Sequence, residues 1–155
     1  MVSPELLRRF PFFGVLPEEP LREVAQASDR VMVDAGEVLS ETGQPADYLY
    51  LLLEGSVEQY LAVVDSLDPS TRKEFYLGDV NIGELFGLTA LLPPYRHTTT
   101  ARVTAGGAVV KVDAVKFRDV IAGNPAFGRA VMEQTALALL ERLEQTRVQL
   151  AATRE

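Results

Sequence analysis

From Asp29 to Asp113 the chain is punctuated by glycines at positions 36, 43, 55, 78, 83, 87, 106 and 107, and the runs between them have the two-residue period of strands. Val31 and Val33 alternate with Arg30 and Met32, and Asp34-Ala35-Gly36 turns the chain into Glu37-Val38-Leu39. After the turn cluster Gly43-Gln44-Pro45-Ala46-Asp47, the run Tyr48-Leu49-Tyr50-Leu51-Leu52-Leu53 is apolar on both faces, which marks a central strand. Glu54-Gly55 leads into a strand over 57–64. Asp65–Arg72 is a polar hairpin tip, and Glu74-Phe75-Tyr76-Leu77 returns from it. Gly78-Asp79 and Gly83 mark further turns, and strands at 98–104 and 108–112 flank Gly106-Gly107. Many short strands broken by turn residues fold as a β-roll, barrel or sandwich.

On both sides of this region the period is helical. Ser3-Pro4-Glu5 reads as an N-cap, a proline at the first helical position and a first-turn acid, which predicts a short helix to about Phe10. Phe10, Phe12 and Phe13 form an apolar plug around Pro11. Pro17-Glu18-Glu19 opens a second helix with Leu21, Val24 and Ala25 on one face. Asp113 caps a third helix carrying Val115, Phe117, Val120 and Ile121, closed by Gly123-Asn124, and Pro125 opens a fourth of about 30 residues, roughly 45 Å long. Along that last helix Met132, Ala136, Leu139, Leu143, Thr146, Leu150 and Thr153 alternate four-three, the spacing of a seam between paired helices. The seam predicts a homodimer; the alternative is a helix that merely packs on the roll, for which the off-seam Leu137, Leu140 and Val148 are available. The whole chain, 1–155, reads as one domain: N-terminal helices at 3–27, the roll at 29–113 and C-terminal helices at 114–155.

Composition narrows the function classes. The 155 residues suit one domain with a sizeable core. A single histidine and no cysteine leave only carboxylates for a metal site, which argues against an enzyme of the cupin-type metal class. A formal net charge of −7 disfavours nonspecific contact with nucleic acid or an anionic membrane. No apolar run approaches the roughly 18 residues of a membrane span, and Met1-Val2-Ser3-Pro4-Glu5 lacks the pattern of a signal peptide, so a cytoplasmic protein is expected.

The chemistry-bearing stretch is Gly83-Glu84-Leu85-Phe86-Gly87-Leu88-Thr89-Ala90-Leu91-Leu92, followed by Arg96, His97 and Thr98-Thr99-Thr100-Ala101-Arg102-Val103. A turn glycine, a short apolar helical turn and a β-branched strand can build an anion cradle, with Gly87 and the N–H groups of Leu88 and Thr89 facing the ligand. A plain strand-to-helix turn uses the same residues. Arg96 can swing onto an anion or stay solvated in its Pro-rich loop. Thr99 and Thr100 can donate to a ligand or act as ordinary strand formers, with Thr98 and Thr100 on one strand face and Thr99 on the other. His97 is expected on the surface, and Glu84 on the turn.

This order of segments, with Gly36-Glu37-Val38-Leu39, Leu49-Tyr50-Leu51-Leu52-Leu53-Glu54-Gly55-Ser56-Val57, Phe86-Gly87 with Ala90-Leu91-Leu92, and Val103-Thr104-Ala105, resembles the cyclic-nucleotide-binding domain of the catabolite-activator/FNR superfamily over essentially the whole chain. The resemblance implies a mainly β fold with flanking helices: an eight-stranded antiparallel, jelly-roll-like β-roll with N-terminal helices and a long C-terminal helix. It implies a non-enzymatic regulatory module whose ligand is a cyclic nucleotide or another small anion. In the family the cassette reads Phe-Gly-Glu-x-Ala-Leu-Leu, the glutamate accepting a ribose hydroxyl, and a later arginine pairs with the phosphate. Here Leu88 stands at the glutamate position and Thr99 at the arginine position. A second register makes Glu84 the ribose ligand and Arg96 the phosphate ligand. The base-contacting hydroxyl of the long helix falls near Arg142-Leu143, where there is none, and Arg142 is the candidate ligand-binding residue at that position. Removing one partner of a buried charge pair costs about 2–5 kcal/mol, roughly 30- to several-thousand-fold in affinity. Tight binding of cyclic AMP or cyclic GMP is therefore not expected. Arg96 is expected to be the only cation near the site. The alternative is a ligand-free domain serving as a dimeric scaffold or docking unit for a protein partner. No helix-turn-helix follows the long helix, so the chain itself is expected to contact no DNA, and a larger parent protein is a further expectation.

Overall fold

The computed structural model describes residues 1–154; Glu155, the last residue of the expected C-terminal helical segment, lies outside them. Six strands form one antiparallel sheet: β1 (Ser28–Val33), β2 (Val38–Ser40), β3 (Tyr48–Val64), β4 (Arg72–Val80), β5 (Leu85–Phe86) and β6 (Thr100–Asp113). Along the sheet the order is β1-β6-β3-β4, with β2 also on β6 and β5 also on β3. This is the expected β-roll, with six strands in place of eight. The difference lies at two glycine sites read as turns. Gly55 is left-handed (φ +95), and a Cβ there would come within 2.5 Å of Ala105 O; a Cβ on Gly107 would lie 2.1 Å from Glu54 O. These glycines let β3 and β6 pass at close range and bend, with register shifts between Leu52 and Val57, instead of reversing the chain. Each long strand therefore carries two of the expected short ones.

The central strand separates two cores. Leu49 and Leu51 pack with Val110, Val112 and the helices, whereas Tyr50 and Leu52 pack with Val57, Phe86, Val103 and Val109 inside the roll. Burial on both faces of β3 is what its unbroken apolar run predicts. Tyr50 stacks on Phe86 (ring centroids 5.1 Å apart) and donates to Leu39 O at 3.0 Å; burial pushes its hydroxyl pKa up to about 12.

The helices are α1 (Pro4–Arg8), α2 (Glu18–Gln26), α3 (Ala114–Gly123) and α4 (Pro125–Ala152). Ser3 Oγ accepts from Leu6 N, but α1 stops at Arg8, short of Phe10, because Pro11 ahead opens a 3-10 turn over Pro11–Phe13. Leu21, Val24 and Ala25 of α2 are buried as their spacing predicts. Asp113 Oδ1 accepts from Lys116 N at 3.1 Å to cap α3, and Asn124 Oδ1 accepts from Phe127 N at 3.0 Å to cap α4. Val115, expected on the apolar face of α3, is exposed, while Phe117 is buried in the row Phe13–Phe117–Phe127. On α4 the stripe against the rest of the protein is Phe127, Val131, Thr135, Ala138 and Arg142. Leu137, Leu140 and Val148 are not buried against the roll; they stand 53%, 48% and 70% exposed, Leu137 bordering an open cavity beside Leu85 and Leu88. No helix among the described residues is long and apolar enough to cross a membrane.

Candidate functional site

Between the second half of α4 and the roll lies a cavity of about 320 Å³. Its floor is Leu85 and Phe86 of β5 with the turn Gly87-Leu88-Thr89, its walls come from Gln59 of β3, Leu77–Asp79 of β4 and the segment His97–Thr99, and α4 roofs it with Leu139, Arg142 and Thr146. The middle of the chemistry-bearing stretch, Leu85–Thr89, and the segment His97–Thr99 are thus gathered in one place. Gly87 is left-handed (φ +81), a backbone conformation that side chains with a Cβ rarely adopt, which is why glycine stands at the corner. The 3-10 turn Leu88–Leu91 begins immediately after it, with Ala90 N donating to Gly87 O at 3.0 Å. Leu88, 9% exposed, contributes hydrocarbon to the cavity wall, the filling role its side chain allows.

The threonines divide differently from the strand pattern. Regular pairing of β6 starts only at Thr100, so Thr98 and Thr99 precede the strand and both line the cavity. Thr99 Oγ1 accepts from Gln59 Nε2 at 3.5 Å. Thr100 is fully buried, and its Oγ1 accepts from Thr42 N at 3.1 Å and shares a hydrogen bond with Thr42 Oγ1 at 2.8 Å, which makes it a structural tie and not a cavity group.

Three further sites differ from expectation. His97 is buried (7% exposed) rather than on the surface, because its backbone pairs on both sides: Gly43 N donates to His97 O at 2.8 Å and His97 N to Gln44 O at 3.0 Å. Burial pushes its imidazole below the usual range, against a smaller opposing pull from Asp47, so the ring is neutral at neutral pH. Arg96 points away from the cavity, Nη1 donating to Gly43 O at 2.8 Å. Its loop is pinned by Arg118 of α3, which covers the Tyr95 ring at 4.2 Å and donates to Ala90 O at 2.6 Å. Glu84 accepts from Asn81 Nδ2 on the turn and lies beside a second cavity of about 270 Å³ on the other flank of α4. Glu84 and Arg96 are therefore not brought together.

The cation at the cavity is Arg142, not Arg96. It donates through Nη1 to Gln59 Oε1 and through Nη2 to Leu85 O at 3.0 Å, with Glu84 Oε2 3.7 Å away. It stands in both cavity walls, as a partition under the helix. Arg142 is the candidate position expected on the long helix, but the role of cavity cation is the one expected of Arg96; the available signal was one charged residue continuing the Phe127, Val131, Thr135, Ala138 stripe. The seam residues Leu139, Leu143 and Leu150 stand 40%, 46% and 53% exposed, with Ala136 and Thr146 exposed and Met132 half-buried on the same side of the helix.

Comparison with known proteins agrees with this architecture. The family model described as the cyclic nucleotide-binding domain matches residues 30–124. A solved structure from Geobacter metallireducens, named for cyclic-nucleotide binding, is 34% identical with a TM-score of 0.78, covering 92% of this chain and 99% of that one. The sensor domain of the transcriptional regulator DNR of Pseudomonas aeruginosa shares the fold at 20% identity and a TM-score of 0.67, covering 90% of each chain. Among curated sequences, the cAMP-dependent protein kinase regulatory subunit of Mycosarcoma maydis is 28% identical over 138 residues, 84% of this chain and 26% of that protein. A protein of Rhodopseudomonas palustris named as a potassium channel protein is 25% identical over 131 residues, 84% of this chain and 30% of that protein. The chain spans less than a third of the length of these curated relatives.

Proposed function

The chain belongs to the cyclic nucleotide-binding domain family, and from that membership we propose that it is a regulatory ligand-sensing module that is not a conventional cyclic AMP receptor. The family and fold are those of regulatory domains rather than enzymes. The observation that carries the reading is the cavity under α4, whose floor is the cassette turn and whose roof is a helix positioned to respond to what the cavity holds. The left-handed Gly87 followed at once by the Leu88–Leu91 turn supports the register that places Leu88 and Thr99 where the family has its glutamate and arginine. In that register a cyclic nucleotide would meet hydrocarbon at its ribose hydroxyl and no cassette cation at its phosphate.

The exposed seam of α4 supports dimerisation of the module through this helix, parallel to its mate. A ligand that favours one position of α4 would shift the population between two arrangements of the seam. Calorimetry with cyclic AMP and cyclic GMP tests the ligand part: submicromolar affinity would overturn it. Sedimentation tests the dimer, and a monomer at tens of micromolar would overturn that. A second reading, a ligand-free dimeric scaffold that docks a protein partner, is favoured by the hydrogen bonds Arg142 already makes to Gln59 and Leu85. Thermal stabilisation by a small molecule separates the two, since only a binding fold is stabilised by mass action.

A further inference from the structure

We propose that the cavity under α4 takes a small monoanion with an apolar body, and that the guanidinium of Arg142, supplied by the helix and not by the cassette, is the group that meets its charge. The inference rests on the sensing reading above and names the chemistry of its ligand.

Charge balance gives the first argument. Arg142 is the cationic side chain among the cavity-lining residues, and His97, held neutral by burial, adds no second charge near pH 7. The acid at the rim, Asp79, accepts from the Tyr76 hydroxyl at 2.6 Å. That hydrogen bond leaves Asp79 charged, so the lining offers one guanidinium against one carboxylate. A single negative charge is met by Arg142, whereas the second charge of a dianion would find no cation and would face Asp79. The partners of Arg142 give the second. A guanidinium has five N–H donors. Two hydrogen bonds go to uncharged acceptors, Gln59 Oε1 and Leu85 O, and the Glu84 carboxylate forms only a long ion pair, at 3.7 Å and beyond hydrogen-bond range, with about a third of each side chain open to solvent. A carboxylate or phosphodiester exchanged for the Gln59 amide replaces a neutral acceptor with an ionised one and adds ion–ion attraction to the hydrogen bond.

The apolar body follows from the remaining wall. Leu77, Leu85, Phe86, Leu88 and Leu139 face the same space. Leu88 in particular offers no acceptor to a hydroxyl, so a polar, ribose-like group there would lose its hydration without compensation. The arrangement also builds in an output. Beyond Thr135, α4 is tied to the roll by Arg142 and by Gln149, which donates to Leu77 O at 3.3 Å. A ligand that recruits Arg142 competes with a contact that fixes the half of the helix carrying Leu139, Leu143 and Leu150. Ligand affinity and helix position are then linked.

The test uses the full chain with benzoate, phenylacetate and hexanoate, their uncharged amides, inorganic phosphate and cyclic AMP, read by thermal shift and calorimetry. The expected result is stabilisation by at least one acid and not by its amide. Arg142→Gln weakens that binding at least tenfold, Arg142→Lys retains part of it, and Arg129→Gln, the same charge removed from an exposed site on the same helix, leaves it unchanged. Leu88→Glu gives an opposed pair of signs, weaker acid binding and stronger cyclic AMP binding. An amide that binds as well as its acid, or an acid whose affinity survives Arg142→Gln, overturns the inference. Binding of cyclic AMP and of no acid overturns it while keeping the sensing reading. A chain stabilised by none of the probes overturns both and leaves the scaffold.

Discussion

The two halves of α4 are continuous in backbone and opposite in how they are held. From Pro125 to Thr135 the helix buries Phe127, Gly128, Val131 and Thr135, and it touches α3 so closely that a Cβ on Gly128 would come within 3.0 Å of Ile121 Cγ2. From Ala136 onward no residue is fully buried; Ala138 still packs on the core, and the side-chain hydrogen bonds to the roll come from Arg142 and Gln149. Apolar burial in a close-packed core is cooperative and hard to exchange, whereas solvent-accessible polar contacts contribute about 0.5–1.5 kcal/mol each and can be traded for a ligand or a partner. The first half is therefore an anchor. The second half is the part of the molecule whose position is open to regulation, and it roofs the cavity.

The largest effect should come from breaking the anchor. Phe127→Ala removes a fully buried ring from the Phe13–Phe117–Phe127 row and should cost about 3–5 kcal/mol in denaturant unfolding. A loss under about 1 kcal/mol would mean that the two halves are held alike. Next is the seam. Leu139→Glu with Leu143→Glu puts two charges on a half-exposed face, where a monomer tolerates them and a dimer must bury them. The expected outcome is a dimer at least a hundredfold weaker by sedimentation, about 2.7 kcal/mol, with thermal stability of the monomer changed little. Equal loss of folding and pairing would show that this face already serves the monomer core.

This same division explains what could be read from the sequence. The roll, the caps at Ser3 and Asp113, the doubly buried Tyr48–Leu53 run and the Gly87 corner all follow from local chemistry, and they are where the sequence pattern puts them. Strand number was less readable, because Gly55 and Gly107 serve close backbone approach, which is a tertiary fact that looks identical to a turn in one dimension. At the site, Gly87, Leu88, Thr89 and Thr99 come together, but Thr100 is drawn off by Thr42, some 58 residues away in sequence. Arg96 and Arg142 exchange roles for the same reason. The Pro-rich loop is pinned by Arg118 from α3, and the cation arrives from a helix 57 residues beyond its acceptor Leu85. Such long-range pairings leave no local periodicity to detect.

The cassette can be tested against the roof. Leu88→Glu with Thr99→Arg restores a hydroxyl acceptor and a phosphate partner in the floor of the cavity, and cyclic AMP binding should strengthen by about 2 kcal/mol, roughly thirtyfold, in calorimetry. If the double variant binds no better than the parent, the obstacle is not the missing charges but the roof, and Arg142→Gln in the same background should then release it.

The smallest effect, and the sharpest test of the contrast, concerns Gln149. Its amide donates to Leu77 O at 3.3 Å near the exposed end of α4, where no apolar burial supports the contact. Gln149→Ala should lower global stability by no more than about 0.5–1 kcal/mol, since it removes one exposed, uncharged hydrogen bond. Its local consequence should be larger than its global one. Amides from Leu143 to Ala152 should exchange several-fold faster in the variant than in the parent, while those from Phe127 to Thr135 keep their rates, because sub-global opening of the second half does not require the first to unfold. Uniform acceleration along the whole helix would mean that α4 opens as one unit, and a ligand acting on Arg142 would then have to unseat the anchor as well.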